Sequence, residues 1–82
     1  MQGTTVVISG ATSGIGEVAA DRLAAKGARI VFIARDKARG EETLKHLYAI
    51  APHANHTVHY ADLSKLREMK RVAAEIAAAE SI

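Results

Sequence analysis

The stretch Thr4-Thr5-Val6-Val7-Ile8-Ser9-Gly10-Ala11-Thr12-Ser13-Gly14-Ile15-Gly16 decides how this chain folds. Thr4 to Ser9 is β-branched and apolar and stops at Gly10, which predicts a buried strand followed by a tight turn. A continuous apolar run, unlike an alternating one, implies burial on both faces, the habit of a parallel sheet. From Ile15 to Lys26, the apolar residues Ile15, Ala19 and Leu23 recur at helical spacing, and Gly27 follows where a helix C-terminal glycine belongs. The order is strand, glycine loop, helix.

Working outward, Arg29 to Ala34 is a second near-continuous apolar run, and Asp36 offers an N-cap for a helix carrying Leu44, Leu47 and Tyr48 on one face. Pro52 ends that helix, and Ala51 to His56 reads as a loop. Thr57 to Ala61 alternates, as suits a sheet edge. Ser64 is then expected to cap a helix whose core stripe is Leu66, Met69, Ala73 and Ile76. The predicted architecture is α/β, a Rossmann-type β-α-β-α-β-α with a parallel sheet in strand order 3-2-1.

Right-handed crossovers place the first two helices on one face of such a sheet and the third on the other. One helix under-covers its face, and the first strand lies at an exposed edge despite its core-like sequence. Residues 1–82 are therefore expected to be the N-terminal dinucleotide-binding portion of a larger doubly wound domain, truncated before a fourth strand. At 82 residues, 49% hydrophobic and 24% charged, there is room for one globular unit and no second. The absence of Cys excludes disulfides, thiolate metal sites and a cysteine nucleophile.

A net charge of +2 and three scattered aromatics (Phe32, Tyr48, Tyr60) argue against a nucleic-acid partner. The apolar runs are far shorter than a membrane span, and the N-terminus lacks the pattern of a signal peptide, so the expected location is cytoplasmic, with no membrane partner.

The glycines of the loop follow G-x-x-x-G-x-G. Gly10 lets the chain turn off the strand, Gly14 removes a Cβ where backbone and ligand approach, and Gly16 lets the helix pack close to the sheet. Amide groups at the helix start, with the positive end of its dipole, suit a pyrophosphate, and Thr12 and Ser13 add hydroxyl donors. A glycine-rich turn without function is the alternative, disfavoured by the strand before and the helix after. No Gly-Lys-Ser/Thr follows, which excludes a Walker loop. Methyltransferase-type domains remain open, although they usually carry an acid at the end of the second strand.

Ser9 to Gly16 closely resembles the Thr-Gly-x-x-x-Gly-x-Gly signature of the short-chain dehydrogenase/reductase family, with Ser9 in place of the usual Thr. Asp62-Leu63, after the third strand, resembles that family's Asp-Leu or Asp-Val adenine contact. The resemblance covers essentially the whole chain and implies hydride transfer between a nicotinamide and a carbonyl or alcohol. The candidate cofactor contacts are Gly10, Thr12, Ser13, Gly14, Ile15, Gly16, Arg35, Asp62 and Leu63. Ala34-Arg35-Asp36 loosely resembles retinol-dehydrogenase-like and protochlorophyllide-reductase-like members.

The residue closing the second strand separates the cofactors: an acid binds the ribose 2'-hydroxyl of NAD, whereas an Arg accommodates the 2'-phosphate of NADP. Ile33-Ala34-Arg35 places a guanidinium there, with Lys37 or Arg39 as supplements, so NADP is expected over NAD; Asp36 is read as the helix cap. The implied catalytic Tyr-x-x-x-Lys is absent: four residues after Tyr48 stands Pro52, and after Tyr60, Ser64. No catalytic residue is assigned. His46, His53, His56 and His59 read as solvated histidines rather than metal ligands, and Glu41, Glu42, Lys70 and Arg71 as exposed helix charges. The competing reading is a non-catalytic nucleotide-binding or interaction module complete at this length. Either reading leaves the open sheet face to the rest of a parent chain or to a second copy.

Overall fold

The computed structural model describes residues 3–10 and 14–80. Element order is β1 (Thr5–Ser9), α1 (Gly14–Ala25), β2 (Arg29–Ala34), α2 (Lys37–Ile50), β3 (Thr57–Tyr60) and α3 (Leu66–Glu80). The strands form one parallel sheet with β2 in the centre, β1 on one side and β3 on the other, the expected 3-2-1 order. Register pairs Val6 with Ile30 and Ile8 with Phe32, then Phe32 with Val58 and Ala34 with Tyr60. Because side chains alternate across a strand, those residues share one face.

On that face α1 and α2 pack Ala20, Ala24 and Leu47 against Ile30, Phe32 and Ala34. Phe32 is fully buried and is worth about 2 to 3 kcal/mol by burial alone. On the opposite face α3 alone packs Val72 and Ile76 against Val31, with Ala61, Ile33 and Leu63. β2, flanked on both faces, is buried as its sequence predicts. β1 is not: Thr5, Val7 and Ser9 are exposed, Val7 at 44%, since α3 does not reach the edge strand.

Two predicted stripes shift. In α1 the buried residues are Ala20 and Ala24, with Leu23 partly buried, whereas Ile15 is 90% exposed. Small residues rather than Ile15 set the approach of this helix to the sheet. In α3 the core is Val72 and Ile76; of the stripe expected in the core, Leu66 and Met69 are 65% and 45% exposed and Ala73 is exposed as well, its place taken by Val72.

Asp36 does cap α2, its Oδ1 accepting from the Ala38 amide at 2.9 Å. Ser64 does not cap α3: the Lys65 carbonyl accepts the first helical bond, from the Met69 amide, and the Ser64 hydroxyl donates to Asp62 at 2.6 Å. Glu68, in the first turn of α3, reaches back to accept from the Asp62 amide at 2.8 Å and so ties the loop to the helix start.

Candidate functional site

In a parallel sheet wound this way, the loops leaving the strands collect at the strand C-terminal ends, and ligands bind there. Gly10 leaves β1 at φ +75° and Gly14 opens α1 at φ +58°, a left-handed backbone that any other residue resists. Among the described residues, nothing but the chain neighbours lies within 4 Å of where a Cβ on either glycine would stand, and Gly14 opens the helix. Exposed Ile15 sits beside Gly14. Gly16 is half-buried one turn before Ala20, on the side of α1 that faces the sheet. Thr12 and Ser13 lie outside the described residues.

Arg35 follows β2 directly, with its side chain 80% exposed and its Nη2 4.0 Å from Asp62 Oδ2. At that distance across solvent the pairing is weak and the guanidinium keeps most of its donors for another acceptor. Asp62 is held more firmly: its Oδ1 accepts from the Ser64 hydroxyl and from the Ser64 amide at 3.0 Å. Those bonds, with Arg35 and Lys65 nearby, hold its carboxyl below the usual carboxylate range. Leu63 turns into the cluster beneath α3, so its side chain serves packing.

Four groups from three strands thus converge at one end of the sheet: the Gly10 turn, the start of α1, Arg35 and Asp62. The proximity of Arg35 and Asp62 has no local sequence signal. It follows from the register, since Ala34 and Tyr60 pair and each chain continues one or two residues beyond.

Both tyrosine hydroxyls donate to backbone carbonyls. Tyr60 Oη donates to the Lys37 carbonyl at 3.4 Å, and burial, with Glu41 and Asp36 nearby, pushes its hydroxyl above the ordinary value of 10.0. Tyr48 Oη donates to the His56 carbonyl at 3.1 Å.

The histidines divide. His56 is buried, contrary to the expectation of a solvated side chain. Its Nδ1 accepts from the Ile30 amide at 3.0 Å, one residue before β3 begins, so the proton sits on Nε2, which donates to the Ala51 carbonyl at 3.1 Å. Burial lowers its pKa below 6.5. His46 meets Asp21 across α1 and α2, and His59 meets Glu75 between β3 and α3. Among the described residues no three His, Asp or Glu gather to hold a metal.

A cavity of about 570 Å³ lies at the other end of the sheet, between the end of α1 and the loop after α2. Arg29 in its wall is already bonded to the Asn55 carbonyl and to Glu80. No described helix is long and apolar enough to cross a membrane.

Three parallel strands in this order, a glycine turn off the first and helices on both faces define a Rossmann-type α/β unit. The chain belongs to the short-chain dehydrogenase family, whose model matches residues 4–80. It is 35% identical over 79 residues to the 3-ketodihydrosphingosine reductase ksrA of Aspergillus fumigatus, covering 93% of this chain and 22% of that protein. It is 35% identical over 78 residues to mouse retinol dehydrogenase 12, covering 95% of this chain and 25% of that one. The chain thus spans a quarter or less of these relatives' length. The crystal structure of a metagenomic short-chain oxidoreductase in complex with NADP superposes with a TM-score of 0.82 at 30% identity, covering 96% of this chain and 35% of that one.

Proposed function

We propose that residues 1–82 form the nucleotide-binding part of a short-chain oxidoreductase that takes NADP(H) in preference to NAD(H). The observation that carries this reading is Arg35: a guanidinium at the end of β2, largely exposed, loosely paired and at the same end of the sheet as the Gly10 turn. The residues present fit the group. The left-handed backbone at Gly10 and Gly14 suits a turn that presents the start of α1 to a pyrophosphate, and Arg35 offers its planar fork to a 2'-phosphate. By the family resemblance, Asp62 and the Leu63 backbone are the residues that would contact the adenine. That a relative of the same family is described in complex with NADP supports the cofactor.

When bound, NADP(H) supplies or accepts the hydride exchanged with a carbonyl or alcohol. This chain's own part is to grip and orient it. The proton transfer belongs to groups that these 82 residues do not include, since no Tyr-x-x-x-Lys occurs in them. The outer edge and face of β1, with Val7 exposed, supports a further strand of a parent chain, or a second copy, packing there.

Isothermal titration with NADPH and NADH tests the cofactor reading. We expect NADPH to bind more tightly, and Arg35→Ala to reduce that preference at least about tenfold, since one charge-assisted hydrogen bond is worth about 1.5 to 3 kcal/mol. An unchanged ratio in a folded Arg35→Ala variant overturns the assignment to NADP.

A further inference from the structure

Gly40 and Tyr60 meet in a contact that the cofactor motifs leave unexplained. Gly40 lies one turn into α2 and is buried. Its φ is not in the left-handed region, so the backbone alone does not demand glycine there. Space does: a Cβ on Gly40 would stand 2.6 Å from Tyr60 Cε1 and 2.7 Å from Tyr60 Oη, closer than real contacts allow.

Tyr60 is not a loose neighbour. Its ring packs against the cluster under α2, its hydroxyl donates to the Lys37 carbonyl, and its carbonyl accepts from Arg71 Nη2 at 2.7 Å. The Gly40 amide in turn donates to the Asp36 carbonyl at 2.9 Å, the first bond of α2.

These two residues stand between the two charged groups of the site. Arg35 and Asp36 lead into the turn of α2 that Tyr60 braces, and Asp62 lies two residues beyond Tyr60. We infer that the Gly40–Tyr60 contact is a positioning device: by seating the first turn of α2 against the end of β3, it sets Arg35 relative to Asp62 and so tunes selectivity for a ligand's 2'-phosphate. Removing the Gly40 gap or the Tyr60 ring lets α2 reseat and carries Arg35 away from where a phosphate would meet it. The inference rests on the cofactor reading above.

The test uses two small probes, adenosine 2',5'-bisphosphate and ADP, titrated calorimetrically into the 82-residue chain, with circular dichroism to establish folding. Gly40→Ala and Tyr60→Leu are each expected to lower the preference for the bisphosphate about fivefold while changing ADP affinity little, since a displacement of about an ångström is enough to weaken a bidentate contact severely. Both break the same contact, so the double variant should lose no more than either single one. Tyr60→Phe, which keeps the ring, should retain most of the preference.

If Gly40→Ala and Tyr60→Leu keep the wild-type ratio while Arg35→Ala lowers it, the inference is overturned and the cofactor reading stands. Effects that multiply in the double variant overturn it as well. If Gly40→Ala does not fold, Tyr60→Leu alone decides. If Arg35→Ala leaves the ratio unchanged, or the wild type binds neither probe, the cofactor reading fails and this inference falls with it.

Discussion

The two ends of this sheet spend their polar groups differently. Where the strands begin, the side chains of Arg29, His56 and Tyr48 are committed to the chain itself, although the buried Thr57 hydroxyl finds no partner among the described residues. The Arg29 guanidinium bonds the Asn55 carbonyl and both oxygens of Glu80, and that partner holds the Glu80 carboxyl below its usual range. His56 closes two backbone groups at once, and Tyr48 packs edge-on against its ring at 5.1 Å. Where the strands end, Arg35 is exposed and, among the described residues, meets only Asp62 at 4.0 Å, while Gly10 and Gly14 hold left-handed turns. Uncommitted donors at one end are what a ligand needs; committed ones at the other keep that end ready. In a small sheet with one thinly covered face, these committed groups add stability away from the proposed binding end.

The largest expected effect breaks the committed end. His56→Leu leaves the Ile30 amide and the Ala51 carbonyl without partners in a buried place, which costs about 2 to 3 kcal/mol in urea unfolding. NADPH over NADH selectivity should stay within twofold, because nothing at the far end moves. Arg35→Ala is the mirror experiment, with selectivity lost and the unfolding midpoint unchanged. A change in both quantities for either variant would mean that the two ends are coupled.

Protonation attacks the same end more gently. The folded pKa of His56 lies below 6.5, so its unfolded form binds the proton first as pH falls. Its stabilising contribution is complete above pH 6.5 and shrinks below it, by no more than about 1.4 kcal/mol at pH 5.5. The charged neighbour in its surroundings, Arg29, acts in the same direction by disfavouring a second positive charge. Asp62, Glu75 and Glu80 have lowered values, and what they contribute is lost only as pH falls below about 4.5, so the window from 5 to 7 separates them. Urea melts across that window should show the slope in the wild type and a shallower one in His56→Leu.

The two ends were also unequally legible in the sequence. The proposed binding end is local: Gly10 to Gly16 and Arg35 declare themselves by spacing and by their place after apolar runs, and, given the 3-2-1 order, crossover handedness assigns each helix its face. The committed end is long-range. His56 pairs with Ile30 26 positions away, and Arg29 with Glu80 51 positions away, contacts that no periodicity encodes. Hence His56 reads as a solvated loop histidine although it is buried. The stripes of α1 and α3 fail for a related reason. Periodicity identifies an apolar stripe on a helix but not which of its residues the sheet covers, so Ile15, Leu66 and Met69 look like core and are not. The Gly40–Tyr60 approach is silent in sequence because it joins a helix to a strand 20 positions on.

Asp36, like Asp62, is a polar group at the proposed binding end that is committed to the fold, and it gives the smallest and sharpest test. Its carboxylate accepts from the Ala38 amide and caps α2, so Asp36→Ala should cost about 1 kcal/mol in unfolding. An acid next to Arg35 could instead serve a ribose 2'-hydroxyl, the arrangement that favours NAD. The two roles separate in one titration. If Asp36 is only a cap, Asp36→Asn restores most of the stability, since Asn caps as well as Asp, and NADH affinity stays within twofold in both variants. If it grips the ribose, NADH binding weakens in both while NADPH binding does not, and the division between a committed Asp36 and an available Arg35 dissolves.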